Sequence, residues 1–317
     1  MKTEELTNLD TLRSLAILLV LIDHLVPTLA THLGYQPQWL VRSTMHIGQA
    51  GVLAFFVHTS LVLMMSLERL GAKQGGQTIR FYVRRAFRIA PLAWFTIALV
   101  VAAGLPSNVW RQPDPISWQV VVSNMTFVQN VWTKKQVIQP LWSLAYEMQM
   151  YLVLPVLFWL VTRVRGIAIL LALIGASVLG GAVLAQITGG RLNMAAYLPC
   201  FMSGVLAYRW SKELPQILPA RLWLPFLLIM TAAFVAAHQD AVEPIYWIGW
   251  IYCFVLGVAI PRFRNDEPST AQSRVAHSVA KYSYGLYLLH VPALYFVFVF
   301  LDLQDVGLAA RSEEHTS

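Results

Sequence analysis

The stretch LDTLRSLAILLVLIDHLVP, residues 9–27, decides what kind of protein this is. Every residue from Leu15 to Ile22 is apolar, and the run reads as the heart of a membrane-crossing helix. Yet Arg13 stands at its entrance, and Asp23 and His24 lie well along it. A charged side chain at the centre of a lipid-embedded helix costs about 2.5–3.5 kcal/mol, so such groups mark a polar interior. Arg13 and His24 are eleven positions apart. Eleven steps of about 100° come within roughly 20° of whole turns, so the two share one helix face, about 16 Å apart along the axis. Asp10, one turn before Arg13, is placed to pair with it at the interface, whereas Asp23 falls on the flank of the shared face.

The rest of the chain repeats the apolar signal. Hydrophobic residues make up 57% of the 317 positions and charged residues only 12%, against about 25% in a soluble domain. Mean hydropathy is +0.57. Apolar runs fall near residues 11–31, 47–67, 89–105, 141–162, 166–187, 193–209, 222–238, 244–261 and 282–302, each about long enough to cross a hydrocarbon layer of roughly 30 Å as a helix. The expected fold is an all-α polytopic transmembrane bundle with nine spans visible. Residues 118–131 are too polar and short for a span and read as an outer-face or re-entrant helix. The polar start, residues 1–10, has no following small-residue cleavage site, so no cleavable signal is expected.

The final seven residues, RSEEHTS, break abruptly from what precedes them. The same peptide is one reading-frame translation of a common sequencing-library adapter. Residues 311–317 are therefore expected to be a non-native tail on a transmembrane domain spanning 1–310, with a tenth helix missing beyond it. A further soluble domain beyond that point is the other expectation left open.

The net charge of +7 reports topology rather than nucleic-acid binding. With the amino terminus in the cytoplasm, the inner loops hold Lys2, Arg69, Lys73, Arg80, Arg84, Arg85, Arg88, Arg163, Arg165, Arg209, Lys212, Arg221, Arg262, Arg264, Arg274 and Lys281. The outer loops hold only Arg42, Arg111, Lys134, Lys135 and Arg191. This is the positive-inside asymmetry, and it predicts a multi-pass inner (plasma) membrane protein with a cytoplasmic amino terminus. Cys200 and Cys253 fall inside predicted spans and read as small apolar side chains, so neither a disulfide nor a metal site is expected.

Further polar groups interrupt the other spans. Gly48 and Gly51 would let a second helix approach closely, and His58, Thr59 and Ser60 suit interhelical hydrogen bonding. In FYVRRAFRIAPLAW, Arg84, Arg85 and Arg88 precede Pro91, which suits the first turn of the third span. They are either ordinary inner-face charge or a multidentate phosphate site. Glu147 shares a helix face with Ser143 and Tyr151 and can pair structurally, orient an imidazole or carry a proton. Tyr282 and Tyr284 read as an interfacial aromatic belt, and His290, before Pro292, as a packed residue.

Taken in order, LDTLRSLAILLVLIDH, GQAGVLAFFV, RRAFRIAPL, PLWSLAYEMQMY and YSYGLYLLHVP resemble the acyltransferase-3 family of integral membrane acyltransferases. The resemblance runs from Leu9 to Pro292. It implies transfer of an acyl group, acetyl foremost, from cytosolic acyl-CoA to a hydroxyl of a sugar, glycolipid or exported small molecule, with no permanently bound cofactor. It also implies Arg13 and His24 as the essential pair; His24, which can take a proton near neutral pH, is expected to act as general base, with a covalent acyl-histidine relay left open. Arg84, Arg85 and Arg88 become the CoA-phosphate motif, and Glu147 the family's glutamate. The chain departs from the family at His58-Thr59-Ser60, where most members carry Ser-Gly. The alternative reading of the same polar groups is a proton-coupled transporter or flippase of a saccharide or lipid, with Arg13, His24 and Glu147 as a proton relay. The arginine cluster, which a relay does not need, separates the two. A non-catalytic membrane scaffold leaves the buried ionisable groups unexplained.

Overall fold

The computed structural model describes residues 7–35, 37–71, 76–109, 115–163, 167–187, 194–238, 246–265 and 271–301. The expected non-native tail at 311–317 lies outside the described residues, as do Lys2, Lys73, Arg111, Arg165 and Arg191 of the charge count. The described residues form ten α-helices and no extended strand. These are α1 (Thr7–His32), α2 (Gln38–Gly71), α3 (Gln77–Ala102), α4 (Trp118–Met125), α5 (Leu141–Arg163), α6 (Ile167–Ile187), α7 (Met194–Trp210), α8 (Trp223–Ala237), α9 (Tyr246–Ala259) and α10 (Ala271–Tyr295). A π-helical turn, Phe296–Phe300, continues α10.

Six of these segments are long and apolar enough to cross a membrane: α1, α2, α3, α5, α8 with its leading turn, and α10 with its π turn. Shorter apolar runs cover Leu171–Leu184 in α6 and Tyr246–Arg262 around α9. Helices occupy all nine stretches expected to span, so the chain is a multi-pass, all-α membrane bundle. The short α4 sits where a separate outer-face or re-entrant helix is expected.

Helix α2 is the axle of the bundle. It packs against α1, α3, α5, α7, α8 and α9, and 72% of its most apolar stretch is buried, against 33% for α3. Small residues create this packing, because between lipid-embedded helices close backbone approach replaces the hydrophobic drive. A Cβ added at Gly51 would lie 2.6 Å from the Ala16 carbonyl oxygen on α1, and one at Gly204 of α7 would lie 2.2 Å from the Val57 carbonyl oxygen. Ser60 turns its hydroxyl back onto the Phe56 carbonyl at 2.8 Å, so it serves its own helix rather than a neighbour.

The contacts gather the basic ends of the helices on one face. Asn8 donates to the Arg264 carbonyl at 2.6 Å, and Trp223 donates to the Asn8 carbonyl at 2.8 Å. Arg209 reaches the Val161 carbonyl at 3.4 Å, and Lys212 pairs with Glu68. Asp10 meets His277 Nδ1 at 2.8 Å, not Arg13 as its spacing suggests. The start of α10 lies beside the start of α1, and that neighbour takes the carboxylate.

The third span differs from its expected bounds of 89–105. Helix α3 begins at Gln77, so Arg84, Arg85 and Arg88 lie within it rather than in the loop before it. Arginine is a good helix former, and Phe81, buried at 1% exposure, anchors the early turns. A hydropathy window ends where the charges begin, but the helix does not.

Candidate active site

Two cavities lie end to end inside the bundle. The inner chamber, about 60 Å³, is lined by Arg13, Thr59, Ser143, Glu147, Ser283 and Tyr284 among others. The outer chamber, about 270 Å³, includes Asp23, His24, Gln49, Gln139, Trp142 and His290. Val52 and Tyr287 line both. The Tyr287 hydroxyl donates to the Pro140 carbonyl at 3.1 Å and accepts from Ser143 Oγ at 2.6 Å. That clamp fixes the phenol as the partition between the chambers.

In the inner chamber, Arg13 donates through Nε to Ser283 Oγ on α10 at 2.7 Å. Glu147 accepts a hydrogen bond from Tyr151 one turn further along α5, on the helix face that their spacing defines. The charges of Arg13 and Arg85 act on Glu147, with Thr59 of α2 beside it. Tyr284 donates to the Ile89 carbonyl of α3 at 2.7 Å. It is therefore an interior tie, while Tyr282 is 64% exposed as a belt residue would be.

The three arginines of α3 divide. Arg84 and Arg88 are exposed and Arg85 is half-buried. Arg85 reaches Ser66 Oγ at 3.5 Å through Nη2, while its buried Nε meets no hydrogen-bond acceptor among the described residues. The charge of Arg88 acts on both Arg13 and Arg85. Arg85 and Arg88 thus extend the Arg13 field towards the basic face, and the unmet Nε fits an anionic ligand.

In the outer chamber, His24 Nδ1 stands 3.4 Å from Asp23 Oδ2, with both side chains largely sheltered. The Asp23 carboxylate is held against Gly48, where an added Cβ would lie 2.2 Å from its Oδ2. The His24 ring lies 4.7 Å from that of His290, tilted by 40°. The structure therefore brings Arg13 together with Glu147, and His24 together with Asp23 and His290. Glu147 lines the inner chamber and not the one that holds His24. His290 joins the cluster without any local sequence signal beyond being a histidine in an apolar run. His58 is buried and lines neither chamber.

The fold and its polar column define a polytopic membrane protein with two internal chambers on one axis. The acyltransferase domain family matches residues 6–310, and the chain belongs to that family. It is similar to the O-acetyltransferase OatA of Staphylococcus aureus strain NCTC 8325 / PS 47, at 26% identity over 92% of this chain and 51% of the relative. The proteins of the same name from strains COL and MRSA252 match to the same extent. The chain thus spans about half the length of these curated relatives. No solved structure matches it.

Proposed function

We propose that this chain is the membrane domain of an O-acyltransferase that moves an acyl group, acetyl foremost, from cytosolic acyl-CoA to a hydroxyl of a sugar, glycolipid or exported small molecule. One observation carries the reading: a chamber lined by Arg13 and Glu147, within the field of Arg85 and Arg88, meets an imidazole-lined chamber at the shared residues Val52 and Tyr287. An anionic donor and a neutral hydroxyl acceptor need such different surroundings, within bonding distance at one point. Family membership and the name O-acetyltransferase borne by the relatives support the reaction class. The clustering of basic helix ends supports an inner-membrane orientation with the amino terminus in the cytoplasm.

In this mechanism Arg85, Arg88 and, at the surface, Arg84 hold the CoA phosphates, and Arg13 extends the positive field inward. The carboxylate of Asp23 favours the tautomer of His24 with the proton on Nδ1, which leaves Nε2 as the base. Nε2 takes the proton of the acceptor hydroxyl as its oxygen attacks the acyl carbonyl carbon. The carbon–sulfur bond then breaks, the thiolate of CoA leaves, and the proton on His24 neutralises it. Glu147 balances the charge of Arg13 and Arg85 rather than orienting the imidazole.

Acceptor-dependent CoA release by the purified full-length protein tests this reading. His24→Ala is expected to lower that rate by about 10²–10⁴-fold, the usual contribution of a general base. An unchanged rate would sink the role of His24. Saccharide or lipid movement driven by a pH gradient, without CoA release, would instead establish the transporter.

A further inference from the structure

The sequence pattern assigns His290 to helix packing, but its surroundings assign it more. The ring is 6% exposed, and Nδ1 lies 2.8 Å from the Tyr287 carbonyl oxygen. A carbonyl only accepts, so Nδ1 carries the hydrogen and Nε2 is left as a lone-pair acceptor. That Nε2 is buried with no hydrogen-bond partner among the described residues, and so is Oε1 of Gln49. Both residues line the outer chamber, as does Asp23. Two unmet acceptors therefore belong to residues that, with Asp23, line one cavity of about 270 Å³, large against the roughly 30 Å³ share of one water. Buried acceptors left unmet are costly, so the chamber is built for a ligand that brings several O–H donors.

The two imidazoles cannot both act as bases. Their rings lie 4.7 Å apart, and a proton on one disfavours a proton on the other. His24 has a carboxylate at its Nδ1 to stabilise the imidazolium, whereas His290 has a neutral carbonyl. His24, with the carboxylate beside it, is accordingly the one assigned to act on the acceptor hydroxyl.

We propose that His290 Nε2 accepts a hydrogen bond from a second hydroxyl of the acceptor, beside the one that His24 deprotonates, so that the site selects polyols over lone alcohols. The inference rests on the acyl-transfer reading above for the identity of the ligand as an acceptor. A site that hydrogen-bonds a substrate hydroxyl discriminates strongly against an analogue lacking it, because its own buried group is then stranded.

Two measurements on the full-length protein test this proposal. With acetyl-CoA as donor, wild type is expected to acetylate glycerol in preference to 1-propanol, and His290→Ala to cut that ratio by about tenfold or more. His290→Gln, which retains an acceptor, is expected to restore part of it. Independently of turnover, glycerol is expected to move the ¹⁵N resonance of His290 Nε2 in histidine-labelled protein, and 1-propanol to move it far less. The signal is assigned through its proximity to ¹³C-carbonyl tyrosine, so this arm needs no variant and survives a misfolded one. A ratio within about twofold of wild type in His290→Ala, or a resonance that glycerol leaves in place, overturns the proposal. If wild type releases CoA with neither alcohol nor any saccharide, glycolipid or exported small-molecule acceptor but glycerol still moves the resonance, the polyol site stands and the acyl-transfer reading fails.

Discussion

The inner and outer chambers are both polar pockets in an apolar bundle, yet their polar groups are arranged on opposite principles. In the inner chamber the groups mostly satisfy one another: Arg13 with Ser283, Glu147 with Tyr151, and the charges of Arg13 and Arg85 on Glu147. In the outer chamber His290 Nε2 and Gln49 Oε1 are left without partners. The first arrangement lowers the cost of keeping charge inside a membrane protein. The second leaves that cost to be offset by a ligand. The contrast separates a chamber whose charges are held in place from one whose acceptors are left open, and it is open to direct attack.

The largest expected effect follows from Glu147. Glu147→Ala strands Arg13 and Arg85 without their counter-charge, and removal of one member of a buried charge cluster typically costs about 3 kcal/mol or more. The apparent unfolding midpoint in detergent should fall by several degrees, with Glu147→Gln recovering part of the loss. Should Glu147→Ala leave stability intact and abolish CoA release, the inner chamber would be a centre of chemistry after all.

Next come the arginines of α3. Arg85→Ala is expected to raise the KM for acyl-CoA by about 10–100-fold, the weight of a charge-assisted hydrogen bond. Arg84→Ala, at an exposed position, should raise it by no more than a few-fold. Equal effects at the two positions would mean that the donor is held at the surface and that the inner chamber has no part in its binding.

Gly48→Ala attacks the outer chamber through packing. The new Cβ would lie 2.2–2.5 Å from Asp23 Oδ2, Cβ and Cγ, so the carboxylate must leave its place beside His24. Overpacking of this kind costs about 1–3 kcal/mol, and kcat is expected to fall about tenfold while the KM for acyl-CoA holds. A changed donor KM with an unchanged kcat would break the division between the chambers.

The smallest effect belongs to Tyr151→Phe, which removes one hydrogen bond to Glu147 and should cost about 1 kcal/mol of stability. Because Glu147 retains the nearby charges and Thr59, turnover is expected to drop only a few-fold. A loss as large as that of Glu147→Ala would show that the phenol, not the arginines, holds the carboxylate.

Much of the candidate site is legible in single-helix geometry. The rotation between Arg13 and His24 places them on one face of α1, and both line chambers on a common axis. The i, i+4 spacing of Glu147 and Tyr151 yields the bond between them, and Gly48 and Gly51 do mark where α1 and α2 touch. Pairings between helices were less legible. Asp10 suits Arg13 by spacing but binds His277, and Tyr284 suits a lipid interface by type but ties α10 to α3. His290 carries no local mark that separates a packed histidine from one that shares a chamber with His24.

What the sequence by itself determined was the solvent, the helices and the face on which each polar residue lies. Hydropathy and the 3.6-residue period act within one segment and need no neighbours. Only the tertiary structure decided who meets whom: Glu147 with Arg13 rather than His24, Asp23 with His24 across from Gly48, and His290 with the same imidazole. Those choices depend on how closely each helix pair can approach and on the rotation of each helix about its own axis. Small residues such as Gly48, Gly51 and Gly204 set both through contacts made by residues far apart in the chain.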